Sequence, residues 1–212
     1  MRRKIITTST YHGYPVITGD VMNYDYNLHH LDKNAEFIQD MVNSHNKVVY
    51  FRFDLRLPAY RTYSIEEAKE FIRRFMNSYT KRLSRKPQPL DPAYAVKMER
   101  KKSNNPHFHC FILVNGNIVR DHIPLIKIAE DLLYFQLGLP ADVNHGLIDY
   151  CNGFNNGGCI IRYSSKFEEQ FNACHKQMSY LAKQDPYDMI SSKIRKISYS
   201  RSKSSGCRSS RY

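Results

Sequence analysis

The sequence predicts an α+β sandwich, an antiparallel sheet with helices packed on one side of it. Three observations carry this expectation. Residues 48–57 read VVYFRFDLRL, and the later part alternates: Phe51, Phe53, Leu55 and Leu57 point one way, Arg52, Asp54 and Arg56 the other. Residues 94–99 and 107–115 are two strand-like runs joined by the polar, turn-forming RKKSNNP, which makes an antiparallel hairpin with a long loop. Stretches with helical spacing of apolar residues stand around these strands, giving the order helix, strand, helix, two strands, helix, strand, helix.

Each element has a local cause. Residues 1–28 are polar and rich in tyrosine, with Gly13, Pro15 and Gly19 as breakers, and are expected to form an arm with little regular structure. From residue 32 to 44, Ala35, Phe37, Ile38, Met41 and Val42 recur at roughly helical spacing. The first strand follows and Pro58 ends it. Ser64-Ile65-Glu66-Glu67 is a capping box, with Ser64 as N-cap and Glu67 at the third position. Ala68, Phe71, Ile72, Phe75, Met76 and Tyr79 continue that helix as a buried stripe. Its other face and exit carry Lys69, Arg73, Arg74, Lys81, Arg82, Arg85 and Lys86, either a solvated face or a phosphate-contacting one. Pro87, Pro89 and Pro92 stiffen the loop before the hairpin.

Beyond the hairpin, residues 123–137 are apolar at helical spacing and stop at Gly138. A further strand falls at 147–151 or at 159–163, and 167–183 forms the last helix. From Ser191 onward the chain has many serines, with Lys193, Arg195, Lys196, Arg201, Lys203, Arg208 and Arg211 and no acid. This reads as a flexible basic tail, with or without a role at phosphates.

Composition bounds the function. At 212 residues the chain can bury a core without staples. No apolar run reaches the ~18 residues of a membrane span. The basic start, Met1-Arg2-Arg3-Lys4, lacks the apolar stretch of a secretory signal, so a cytoplasmic location in a bacterial host is expected. The five cysteines, Cys110, Cys151, Cys159, Cys174 and Cys207, are irregularly spaced without a Cys-x-x-Cys pair, which argues for free thiols over a zinc ribbon. A formal net charge of +12 calls for an anionic partner, with nucleic acid first in line. The 16 tyrosines and 11 phenylalanines include faces that could stack on unpaired bases, although most fill the core.

The strongest chemical signal is His107-Phe108-His109 at the start of a strand. Side chains at i and i+2 share a face, so the two imidazoles stand side by side while Phe108 enters the opposite layer. A chance pair without a metal has the same appearance. Glu99, at the end of the preceding strand, is brought beside them by the hairpin, and its plain alternative is a surface pair with Arg100, Lys101 or Lys102. Together the three side chains offer a nitrogen and oxygen donor set with open positions, suited to Mg²⁺ or Mn²⁺. On the last helix, Tyr180 and Lys183 are three apart and can reach one site, while Leu181 and Ala182 pack inward. A nearby ammonium and a metal favour phenolate character and balance charge on a phosphorane. Asp54 reads as a carboxylate paired between Arg52 and Arg56, with approach to the metal as the alternative. Tyr187, beyond Asp185 and Pro186, is a poor second nucleophile. His122, His145 and His175 have no motif around them and are read as surface or structural residues.

The order of these elements carries a resemblance. RFDLRLP at 52–58, NPHFHCFILVNG at 105–116 and SYLAKQD at 179–185 resemble the motifs of the HUH endonuclease superfamily of replication initiators, relaxases and transposases. They are most similar to the replication initiation proteins of filamentous phages (inoviruses) and related prophage or plasmid proteins, over roughly residues 35–190. The resemblance implies the family's ferredoxin- or RRM-like sandwich, with an endonuclease domain at 29–190 between an arm at 1–28 and a tail at 191–212. It implies His107 and His109 as metal ligands with Glu99 as the third. Tyr180 would attack the scissile phosphate and leave a 5′-phosphotyrosyl link and a free 3′-hydroxyl, and Lys183 would position that phosphate or balance charge. Such an enzyme nicks and rejoins single-stranded or hairpin origin DNA in rolling-circle replication. Arg52, Arg56, Arg73, Arg74, Lys81, Arg82, Lys101 and Lys102 are the candidate DNA contacts. No G-x-x-x-x-G-K-[ST] phosphate loop occurs in the sequence, so a host helicase and polymerase are expected partners. Two other functions compete: an origin- or hairpin-binding module that does not cut, and an RNA-binding sandwich, which lacks its glycine-rich signature here.

Overall fold

The computed structural model describes residues 5, 6, 8–18, 24–85, 90–101, 103–119, 121–140, 142–151, 157–185, 187–191 and 194–200. The chain starts with four short strands, β1 (Ile5–Ile6), β2 (Thr10–Tyr11), β3 (Tyr14–Pro15) and β4 (Tyr26–Asn27). Helix α1 (Leu28–Ser44), β5 (Lys47–Arg56), α2 (Ile65–Ser84), β6 (Ala93–Glu99) and β7 (His107–Asn115) follow. Then come α3 (Ile123–Leu137), β8 (Ile148–Asp149), β9 (Gly157–Ile161), α4 (Phe167–Ser179), a 3-10 turn (Tyr180–Ala182) and β10 (Ile197–Tyr199). No described helix is long and apolar enough to cross a membrane.

The main sheet is antiparallel, with strand order β10-β6-β7-β5-β8, and β9 joins β5 on the same edge as β8. Both candidate strands after α3 therefore form, end to end along one partner. The unit β5-α2-β6-β7-α3-β8 has the connectivity and strand order of a ferredoxin-like β-α-β-β-α-β motif.

Helices cover both faces of this sheet, not one. The odd-numbered residues of β5, Val49, Phe51, Phe53 and Leu55, pack with Phe71, Phe75 and Tyr79 of α2 and Leu125, Ile126 and Leu133 of α3. The opposite face sets Val48 and Tyr50 with Phe111 and Leu113 of β7 against Phe37 and Ile38 of α1 and Phe171 and Met178 of α4. The physical reason is visible in VVYF at 48–51, where four successive apolar side chains leave neither face polar. Each large side chain removed from water here contributes ~1.5–3 kcal/mol.

Several local expectations hold. Ser64 Oγ accepts from the Glu67 amide at 3.1 Å and the Glu67 carboxylate accepts from the Ser64 amide at 2.9 Å, completing the capping box. Gly138 closes α3 at φ 67°, in the left-handed region that glycine adopts without a Cβ clash. Among the described cysteines, Cys110, Cys151, Cys159 and Cys174 are free thiols.

The described residues near both ends of the chain are more ordered than their sequences indicate. Val16 and Tyr26 of the N-terminal segment are buried. The segment wraps the end of α4: the Ile17 amide donates to Ser179 Oγ at 2.9 Å, and the Gln184 amide to the Asp25 carbonyl at 2.7 Å. His175 is fully buried there with Nδ1 3.1 Å from the Pro15 carbonyl, a structural role. These strands are two residues long and anchored from distant parts of the chain, so no periodicity announces them. At the other end, β10 pairs with the outer edge of β6, burying Ile197 and satisfying an edge that would otherwise be open. Residues 201–212 of the expected tail, including Cys207, lie outside the described residues.

Candidate active site

The hairpin register places the chemistry. On one face, His107 stands opposite Glu99 of β6 and Arg56 of β5, and His109 stands opposite Lys97 of β6 and Asp54 of β5. Phe108 and Cys110 enter the layer beneath α2 and α3, so His107 and His109 lie on the opposite face, the one that carries Phe111 and Leu113. Glu99, His107 and His109 each offer one ligand atom, all within 4.8 Å of one another. Glu99 Oε2 lies 3.3 Å from Nε2 of both imidazoles. Glu99 and His109 are buried and His107 is half-buried toward solvent.

The environment keeps the two carboxylates beside the histidines ionised. Burial opposes ionisation of Glu99, yet contacts from His107 and His109 and the charge of Lys97 outweigh it and hold the carboxyl well below its usual range. Lys97 is itself buried, 3.3 Å from Glu99 Oε1, and donates to the Lys183 carbonyl at 2.8 Å. Burial lowers its ammonium below the usual lysine value in spite of Glu99. Asp54 Oδ1 is 2.9 Å from Nδ1 of His109, and Asp54 is also gripped by both arms of the Arg52 guanidinium at 3.0 and 2.9 Å. Burial again opposes the charge on Asp54, and His109 and Arg52 overcome it, so it stays ionised well below the usual carboxylate range. His109 stands between two carboxylates, with Nδ1 2.9 Å from Asp54 Oδ1 and Nε2 3.3 Å from Glu99 Oε2, and the Arg52 guanidinium also lies 3.2 Å from Nδ1; a metal on Nε2 would be supported from behind by the Asp54 contact. Two imidazole nitrogens and a carboxylate oxygen opening into a groove fit a divalent ion with vacant coordination positions.

Tyr180 is delivered to this cluster by the end of α4. The α-helix stops at Ser179, earlier than the spacing of 167–183 predicts, and Tyr180 opens the 3-10 turn. The N-terminal segment explains the early stop, because Ile17, Asp25 and Tyr26 take up groups on either side of the turn, with Tyr26 bridged to Lys183. Leu181 and Ala182 pack inward as expected. The Tyr180 ring lies edge-on to His109, centroids 4.9 Å apart, and the Arg52 guanidinium covers its face at 3.9 Å. Burial raises the phenol above its ordinary value; Arg52 and Lys101 pull it down, and Glu99 and Asp54 add to the rise. Lys183 Nζ is 5.5 Å from the Tyr180 ring but sits closer, at 3.8 Å, over Tyr24. Burial and the Lys101 ammonium lower its pKa.

The cluster opens into a groove of about 960 Å³ whose lining includes Arg56, Leu57, Lys101, Asn104, Tyr180 and Tyr187. One wall is stapled by buried Asn105, whose side chain accepts from the Tyr63 amide at 2.8 Å and donates to the carbonyls of Pro58 and Arg61 at 2.9 and 2.6 Å.

The residues expected from sequence thus divide. Glu99, His107, His109, Tyr180, Arg52, Arg56 and Lys101 meet at one site, with Lys183 at its edge. Arg73, Arg74, Lys81 and Arg82 do not: they lie on the exposed side of α2, whose buried stripe packs on the other face of the sheet. That helix turns its apolar side to the sheet, so its cations necessarily point away from both. Arg73 and Arg74 pair with Glu70 at 2.6 and 3.6 Å. Lys102 lies outside the described residues. Asp54 pairs with Arg52 and touches His109, whereas Arg56 pairs with Asp149 at 3.5 Å and not with Asp54. Lys97 was missed, although it stands at i−2 from Glu99 in an otherwise apolar strand, the position that shares its face. Replacing Asp54 with asparagine should weaken divalent-ion binding about 10- to 100-fold, measured by Mn²⁺ titration calorimetry; an unchanged affinity would remove Asp54 from the site.

The chain is an antiparallel α+β sandwich that carries a His-His-Glu cluster beneath a tyrosine. The model of the YagK/YfjJ C-terminal domain matches residues 6–200, and the chain belongs to that family. The match takes in both the N-terminal segment and β10. No curated protein and no solved structure matches the chain.

Proposed function

We propose that this protein is a metal-dependent, site-specific endonuclease of the HUH type, which nicks and rejoins single-stranded DNA through Tyr180 and so initiates rolling-circle replication. The observation that carries the proposal is the convergence of Tyr180 on His109 and Arg52, beside a three-residue donor set, in one groove. The motifs at 52–58, 105–116 and 179–185 supply the likeness to phage and prophage initiators.

In this reading Glu99, His107 and His109 hold Mg²⁺ or Mn²⁺, which supplies Lewis-acid polarisation of the scissile phosphate. Two imidazoles make the set softer than Mg²⁺ ordinarily takes, which favours Mn²⁺. Tyr180 Oη attacks phosphorus, the bond to the 3′-oxygen breaks, and a 5′-phosphotyrosine forms. The proton lost by the phenol is matched by the one the leaving 3′-oxygen takes up. Arg52 holds the ring in place and opposes negative charge beside it, while Lys101 and Lys183 add positive charge at the groove. Lost bond energy is retained in the phosphotyrosine, so the same 3′-hydroxyl can reseal the strand. The 3′-hydroxyl otherwise primes a host polymerase, and strand separation falls to a host helicase.

The test uses labelled single-stranded DNA from the protein's own replicon, with Mn²⁺ or with chelator, resolved on a denaturing gel. The expected result is a protein–DNA adduct and an extendable 3′-hydroxyl product with Mn²⁺, and neither with chelator. DNA that is bound but uncut across the candidate origins would favour the origin-binding module instead.

A further inference from the structure

Tyr187 is 79 % exposed, yet the turn that carries it is tightly held. Its own amide donates to Asp185 Oδ1 at 2.9 Å, and Asp185 is locked to Lys101 at 2.7 Å. On the other side, Asp188 accepts from the Arg100 and Ile190 amides at 3.1 Å each and pairs with Lys196. The Met189 amide closes the turn on the Arg100 carbonyl at 2.7 Å. Both carboxylates are buried, with side chains 6 % and 3 % exposed. Ordering a turn this fully while leaving a large aromatic ring in water gives nothing to the core. It does present an aromatic face to solvent, and that ring lines the same groove as His107, His109 and Tyr180.

We propose that Tyr187 is a stacking platform for one unpaired base of the single strand whose backbone runs past Tyr180. The occupant follows from chemistry. An exposed phenol ring gains most from another flat π-face, and unpaired bases offer one whereas a duplex keeps its faces stacked internally. Arg56 and Lys101 border the groove, each paired with a carboxylate, Asp149 and Asp185, and the whole chain carries a net charge of +12, which suits a polyanion. The backbone on either side of the ring is already hydrogen-bonded, so little further backbone ordering accompanies binding. In this role Tyr187 contributes its ring and not its hydroxyl, which separates it from a second nucleophile.

The proposal rests on the single-strand reading of the groove, and the experiment separates the two. Tyr180→Phe protein in chelator, where no cutting competes, is titrated with a fluorescent oligothymidine and with a duplex of the same length. Tyr187→Ala in that background should weaken oligothymidine binding about 5- to 150-fold. Tyr187→Phe should bind as the parent does, and duplex affinity should not change. The slope of log affinity against log salt should stay constant in Tyr187→Ala, because stacking releases no counterions. Equal affinity of Tyr187→Ala and its parent for the oligothymidine would overturn the stacking role alone. A flattened salt slope would reassign the effect to a phosphate contact, and failure of the parent to bind oligothymidine would overturn the groove reading together with this one.

Discussion

Replacing Tyr180 with phenylalanine should abolish the covalent adduct while leaving the folded protein and its DNA affinity intact. Phenylalanine keeps the ring face under Arg52 and the edge contact to His109, so the packing of the turn survives. Only the oxygen that would bond to phosphorus is removed. Loss of a covalent nucleophile costs on the order of 10⁴-fold in rate or more, whereas loss of one half-buried hydroxyl shifts stability by no more than about 1 kcal/mol. Single-turnover nicking in Mn²⁺ measures the first and thermal unfolding the second. A variant that still forms adduct at a tenth of the original rate would move the nucleophile elsewhere in the groove. Adduct formation should also depend steeply on the cation, since burial and two carboxylates disfavour the phenolate until positive charge is added beside it.

Glu99→Gln should have the second largest effect, and on two observables at once. The substitution takes an anionic oxygen from the donor set, which should eliminate measurable Mn²⁺ binding at concentrations that saturate the parent. It also strips Lys97, buried against Glu99, of its counter-charge. Breaking a buried ion pair from one side costs about 3–5 kcal/mol. Lys97 already has a lowered ammonium pKa and a carbonyl acceptor at Lys183, so it can shed part of that cost by deprotonating, and a loss of about 3 kcal/mol is expected. Denaturant unfolding at neutral pH measures it. The double variant Glu99→Gln, Lys97→Met should recover stability but not metal binding. Recovery of both would show that the carboxylate serves the fold alone.

The residues most legible in the sequence are those whose partners are near in the chain. Alternation in FRFDLRL fixed which side of β5 is polar, and the seven-residue link RKKSNNP was enough to set Glu99 against His107. The capping box at Ser64 and the stop at Gly138 are equally local. What could not be read depends on contacts across the whole chain. The Asp54–His109 contact spans 55 residues in sequence, and only the β5–β7 register creates it. The clamp on the Tyr180 turn comes from Ile17 and Asp25, more than 150 residues away, in a segment with no periodic pattern. Covering helices on both sheet faces follow from four successive apolar residues, a run that by itself fits a buried helix as well as a two-sided strand. The basic run of α2 falls on the exposed side of a helix that packs on the opposite face of the sheet from the groove.

The proposed chemistry depends on Tyr180, and no other tyrosine, taking the phosphate. Mass spectrometry of the trypsin-digested adduct, trapped on origin DNA in Mn²⁺, reads this directly. Cleavage after Lys176 and Lys183 releases residues 177–183, in which Tyr180 is the one tyrosine. This peptide should carry the 5′-phosphate-linked nucleotides. Nucleotides on the following peptide, which contains Tyr187, or on neither, would contradict it.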